Sequence, residues 1–163
     1  MDGALLVADA STLLNFLRVR RFDLLHGLGY RVRIVDAVYE EVQSEQEQLD
    51  QLVEDDKIRT LTLEGAAITD NVAKFLALGL GNGESFSFAA AVEFQAAIAI
   101  DDIRAVKKLK TVTAGLTVVT STDIVVAGIR ASRLTLPEAD LLKTDWADNH
   151  RFRLKFNSFG DLL

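Results

Sequence analysis

Two runs in this chain are apolar without interruption, and both stop at aspartate: Ala4-Leu5-Leu6-Val7-Ala8 before Asp9, and Ala97-Ile98-Ala99-Ile100 before the doublet Asp101-Asp102. A strand that is apolar at every position has helices over both of its faces, which is the condition of a parallel sheet. The segments around these runs fit that frame. Ser11–Val19 reads as a helix with Leu13, Leu14 and Leu17 on one side, and Phe22–Gly27 as a shorter one closed by Gly27 and Gly29. Arg31–Val35 alternates polar and apolar, as an edge strand would. Residues 37–53 are helical with a break near Ser44, and Ile58–Leu63 is a short strand or extended connection. Ala66–Leu80 is a helix, and the Gly79–Gly83 loop leads into Glu84–Gln95, apolar on nearly every side and so a fully buried helix. Ala97–Asp101 and Leu116–Thr120 are strands, Ile103–Lys110 and Thr122–Ser132 helices. Pro137 fits the first turn of a last helix, before a tail carrying Phe152, Phe156 and Phe159. The predicted fold class is α/β, a three-layer α/β/α sandwich around a central parallel sheet of four to five strands.

At 163 residues the chain is expected to form a single domain, 1–163, with a core over about 4–130 and a C-terminal helix and tail over 134–163. A hydrophobic content of 49% and a mean hydropathy of +0.18 exclude a disordered chain. No stretch reaches the ~18 apolar residues of a transmembrane helix, and no signal-peptide pattern precedes the first strand, so a cytoplasmic protein is expected. The absence of cysteine excludes a disulfide scaffold, a thiolate zinc site and a thiol nucleophile. A net charge of −6 argues at first against nucleic acid. Yet residues 36–56 hold nine acids and no Lys or Arg, so the rest of the chain stands at +3. The charge is asymmetric rather than uniformly acidic.

Topology brings four acids to one sheet edge. Asp9 and Asp102 follow strands, while Glu41 and Glu84 are expected in the first turns of helices, which begin where the preceding strand ends. Ligands of open α/β sheets bind at that edge. Four carboxylates there repel one another unless a hard cation such as Mg²⁺ or Mn²⁺ neutralises them. Ser11 and Thr12 already offer helix caps, which leaves Asp9 free. Glu41 borders the apolar face made with Val38 and Val42, whereas Glu40 is turned into water. Glu84 has Phe86, Phe88 and alanines around it, so few protein cations can reach it. Of the doublet, adjacent residues point to opposite sides, and Asp102 is favoured with Asp101 as its substitute. Asp123 is read as a helix N-cap. Arg104, Lys107, Lys108 and Lys110, just beyond Asp102, are candidate phosphate contacts, and so is Ser11 beside Asp9.

Other chemistries fit poorly. The glycine loop lacks the Gly-Lys-Ser/Thr of a phosphate-binding loop and follows no strand. A phosphoaspartyl site needs an acid where Ser11 stands. His26 and His150 lack metal-ligand spacing.

At these residues the chain resembles a PIN-domain nuclease. The matching pieces are Val7-Ala8-Asp9-Ala10-Ser11, Val38-Tyr39-Glu40-Glu41-Val42, Gly81-Asn82-Gly83-Glu84 and Ile100-Asp101-Asp102. The closer likeness is to PIN proteins related to toxins of prokaryotic toxin–antitoxin pairs, in which a GxGE-type motif supplies the third acid. Asp36 departs from a frequent proline before the second motif, and Ile103 from a common arginine after the fourth. The resemblance implies a PIN-like fold and metal-dependent cleavage of single-stranded RNA. Asp9, Glu41, Glu84 and Asp102 would be the catalytic and metal-holding acids. It also implies RNA as partner, and the apolar content of Ala73–Leu80 and the Phe-rich tail suggest a homodimer face or a docking site for an antitoxin. Two other classes remain open: a non-catalytic PIN-like binding module, and a Mg²⁺-dependent phosphatase of another α/β family.

Overall fold

The structure, a computed structural model, describes residues 3–163. Its strands β1 (Leu5–Ala8), β2 (Arg31–Val35), β3 (Arg59–Leu61), β4 (Ala97–Ala99) and β5 (Val118–Val119) form one all-parallel sheet in the order β3-β2-β1-β4-β5. The two apolar runs are the neighbours β1 and β4 at its centre. Val7 pairs with Arg33 on one side and with Ile98 on the other. Leu6, Val7, Ala8, Ile98 and Ala99 are wholly buried, because helices cover both faces.

Arg31–Val35 is not the edge strand its alternation predicts; β3 is. Val32 and Ile34 are buried, while Arg31 and Arg33 line an open cavity at the amino ends of β2 and β3. The alternation therefore marks a gap in the helical cover, not a sheet edge.

The helices are α1 (Ala10–Arg18), α2 (Asp23–His26), α3 (Asp36–Glu41), α4 (Gln46–Glu54), α5 (Ala66–Ala77), α6 (Asn82–Glu93), α7 (Ile103–Val112), α8 (Ser121–Arg130) and α9 (Leu136–Asn149). The break near Ser44 is a 3₁₀ turn, Gln43–Glu45, between α3 and α4. Strand order runs outward from β1 through β2 to β3, then crosses back to β4. That reversal opens a topological switch point between β1 and β4, the usual ligand position of such sheets.

Helix α6 packs across β1, β2 and β4, with α5 against it. Ser85, Ser87, Ala89, Ala90 and Ala91 keep its buried side thin, so its backbone lies close to the sheet, and Phe88 meets Phe75 of α5 edge-on at 5.7 Å. Helix α6 begins at Asn82, two residues before the expected start. Gly79, at φ 80°, ends the preceding helix in the left-handed conformation that glycine adopts most cheaply, and Gly81 caps the next.

Pro137 stands in the first turn of α9, behind the N-cap Thr135. Trp146 of α9 is fully buried, donates Nε1–H to the Asn15 carbonyl at 2.8 Å and meets Phe16 edge-on. The Phe-rich tail folds back over this helix. Phe152 lies on Trp146, Phe156 on the fully buried Phe159, and Asp140 accepts from the Ser158 hydroxyl and the Phe159 amide. Its aromatic surface is thus turned inward. No helix among the described residues is long and apolar enough to cross a membrane.

Candidate functional site

Asp9, Glu41, Glu84 and Asp102 meet at the carboxyl edge of the sheet, and each carboxylate rests on a backbone N–H at a helix N-terminus. Asp9 caps α1, accepting from the Ser11 hydroxyl at 2.9 Å and the Ser11 amide at 3.4 Å. This corrects the expectation that Ser11 or Thr12 would cap in its place: Thr12 is engaged elsewhere, and the Ser11 hydroxyl serves Asp9 itself. Glu41 is the last residue of the short α3 rather than a first-turn residue, and its carboxylate accepts from the Gly83 amide at 3.1 Å. Glu84, in the first turn of α6, folds back to the Gly81 amide at 3.1 Å. Asp102 caps α7, accepting from the amides of Arg104 at 2.8 Å and Ala105 at 3.1 Å.

The N-termini of α1, α6 and α7 therefore hold the acids and supply partial positive charge beside them. Among the described residues none of the four acids takes part in an ion pair. Asp9 is only 4% exposed. Burial pushes its pKa up; the Ser11 hydrogen bonds and the Ala10 amide offset part of that rise, and the Glu41 charge adds to it. Glu84 is raised as well, first by burial and then by the charges of Asp9 and Asp102, against the Gly81 amide. Burial leads both shifts, and the neighbouring carboxylates add to each.

Gly83 links the second and third motifs. A Cβ on that residue would overlap the Glu41 carboxylate. The glycine before Glu84 therefore gives another helix's acid room to reach the α6 amide, a role that its sequence position alone does not reveal.

Asp101 turns to the opposite side of the sheet. It accepts from the Thr12 hydroxyl at 2.9 Å, Asn15 Nδ2 at 3.1 Å, and the Ser121 amide and hydroxyl at 2.8 and 2.5 Å. Four donors occupy it, so it ties α1, β4 and α8 together rather than standing in for Asp102. Sequence reasoning missed these partners. The signal that could have found them was Asn15, an amide set among the leucines of an apolar helix face, since a buried amide demands a partner. Asp123 is not an N-cap either. Thr120 caps α8, and Asp123, three residues on, accepts from the Thr120 amide at 2.8 Å.

Helix α7, which Asp102 caps, carries Arg104, Lys107, Lys108 and Lys110 exposed, and Lys108 Nζ reaches the Gly79 turn that precedes α6. Ile103 stands two-thirds exposed next to Asp102.

Residues 5–143 match the family model described as a PIN domain, a span that contains all four acids. The chain belongs to the PIN-domain family. No curated protein matches it. PIN domains are generally metal-dependent nucleases, and the donor set fits a divalent ion in kind: four hard carboxylates, one of them almost fully buried with no cationic partner. As they stand, no three His, Cys, Asp or Glu side chains among the described residues close on one point as a ligand shell. Each acid is instead drawn onto its helix amide.

Proposed function

We propose that this PIN domain hydrolyses phosphodiester bonds of single-stranded RNA in a reaction that depends on Mg²⁺ or Mn²⁺, with Asp9, Glu41, Glu84 and Asp102 as its catalytic acids. The observation that carries this reading is the meeting of the four carboxylates at the switch point of the sheet with helix dipoles, and no side-chain cation, to balance them. A bound divalent ion would supply Lewis acidity toward the phosphate and lower the pKa of water. The chain's own residues do the rest. Asp9 and Asp102, just beyond the neighbouring strands β1 and β4, fix the place of the charge, and Glu41 and Glu84 flank it from α3 and α6. The Ser11 hydroxyl holds the Asp9 carboxylate in one orientation. Arg104, Lys107 and Lys108 offer phosphate contacts along α7. Such a protein would work in the cytoplasm. If it is the toxin of a toxin–antitoxin pair, its antitoxin, or a second copy of the chain, has Leu76, Ile103 and Leu141 as exposed apolar holds.

The test is incubation of purified protein with mixed single-stranded RNA in Mn²⁺, in Mg²⁺ and in EDTA, beside Asp9→Asn. Cleavage that needs metal and vanishes in the variant is the expected result; cleavage retained in EDTA or in Asp9→Asn overturns it. A second reading, a PIN domain that binds without cutting, is favoured by the absence of a closed carboxylate shell among the described residues. Tight Mn²⁺ binding with no turnover would select it.

A further inference from the structure

At the other end of the sheet the charge is reversed. Around the amino ends of β2 and β3 lies a cavity of about 340 Å³ lined by Arg31, Arg33, Lys57 and Arg59, with His26, Tyr30 and Asp56. Among the described residues four cations stand there against one carboxylate, a local charge of +3 in a chain of net charge −6. The placement costs stability. Arg33 and Arg59 are direct cross-strand partners, and Arg31 lies on the same face as Arg33. Like charges directly opposite each other destabilise a sheet. Positive charge on the edge strand β3 is ordinary protection against strand addition, but β2 is an inner strand, where that explanation fails.

The guanidinium of Arg33 is half-buried and, among the described residues, makes one hydrogen bond, to the Val32 carbonyl at 3.0 Å, out of the five N–H groups it carries. Burial and the charges of Arg59 and Arg31 hold its pKa below the ordinary value, so an anion placed there would relieve the group. Arg31 spends Nε on the Gly3 carbonyl, and Arg59 is forked onto Asp56 at the rim. Cations set around the half-exposed Tyr30 match a nucleic-acid backbone with a stacked base better than an acidic peptide, which has no use for the ring.

We infer that this cavity is a second RNA-binding surface, one that grips phosphates of the substrate away from the point of cleavage. The inference rests on the nuclease reading for the identity of the polymer. It adds a length requirement: the cavity and the acids lie at opposite ends of β2, whose five residues span about 15 Å, so only an RNA long enough to span the sheet engages both.

The experiment is fluorescence anisotropy with a labelled single-stranded RNA of about 20 nucleotides in EDTA, from about 50 to 200 mM salt. It compares the unaltered protein with Arg31→Gln/Arg33→Gln/Arg59→Gln. The exposed pair Lys57→Gln/Arg59→Gln gives a second variant whose folding is not at stake. For the triple variant we expect Kd to rise at least tenfold, and the slope of log K against log salt to fall by about 2, roughly 0.7 for each phosphate that the protein no longer neutralises. Mn²⁺-dependent cleavage of a dinucleotide should stay the same in both variants, while KM for the long RNA rises. Unchanged affinity and slope in both variants overturn the inference, even if the protein proves to be a nuclease. RNA binding that depends on the arginines, in a protein that cuts nothing, upholds the surface and removes the nuclease reading. Displacement of the RNA by polyglutamate at equal charge concentration would assign the cavity to an acidic protein instead and overturn it.

Discussion

Asp101 and Asp102 leave the same strand as covalent neighbours and arrive in opposite circumstances. Asp101, on the α1 and α8 side, has four donors and a closed hydrogen-bond shell. Asp102, on the other side, has the two amides of its own helix and the Glu84 carboxylate beside it. A carboxylate whose lone pairs are taken by donors from two other helices holds a fold together. One held on a single helix end, amid like charges, is available for a cation. The same residue type is thus divided by the pleat of one strand into a tether and a candidate ligand.

The largest effect that would break this contrast belongs to activity. Asp9→Asn should lower metal-dependent RNA cleavage by more than about 100-fold, since even groups behind a metal ligand are worth roughly 10- to 100-fold. Its unfolding midpoint in urea should barely move; a comparable loss of stability would place Asp9 on the tether side. Asp101→Ala should do the reverse. It strands the Thr12, Asn15 and Ser121 donors, for an expected loss of about 3 kcal/mol in urea unfolding, with Asp101→Asn losing less because an acceptor remains. Gly83→Ala should leave stability within about 1 kcal/mol, yet reduce cleavage about tenfold or more, because the new methyl displaces the Glu41 carboxylate. Comparing kcat with the urea midpoint separates these outcomes.

A last, small effect comes from the far edge and should leave the contrast untouched. Burial, and then the Lys57 charge, lower the pKa of His26 below its ordinary 6.5, and backbone hydrogen bonds at Lys57 and Tyr30 offset part of that fall. The unfolded chain therefore binds this proton at a higher pH than the folded one, so stability is full above pH 6.5 and is lost as pH falls through it. Because the ring is partly exposed, solvent screening should hold the loss to a fraction of a kcal/mol. It would be read as a drop in unfolding midpoint between about pH 7 and about pH 5.5 that His26→Gln removes.

The sheet was legible because uniformly apolar runs have few places to go, and Asp-terminated β1 and β4 had to be central. Periodicity failed at Arg31–Val35, where alternation is caused by a cavity and not by an edge. It also misplaced Glu41, since the chain breaks at Val42 and leaves that acid at the end of a six-residue helix. The gathering of acids at the strand ends followed from topology alone. The way they are held did not, because capping is decided by which side chain wins a given amide. Asp9, Ser11 and Thr12 were equal contenders in sequence. What separated them was Asp101, 89 residues from Thr12, claiming the threonine hydroxyl.

The contact between Gly83 and Glu41 has a consequence for inheritance. Positions 41 and 83 compete for one small volume, so a larger residue at 83 displaces the acid at 41. A lineage that placed a methyl group at 83 would be expected to shorten the acid at 41, as Glu41→Asp does. Two motifs 42 residues apart are thus bound to vary as a pair.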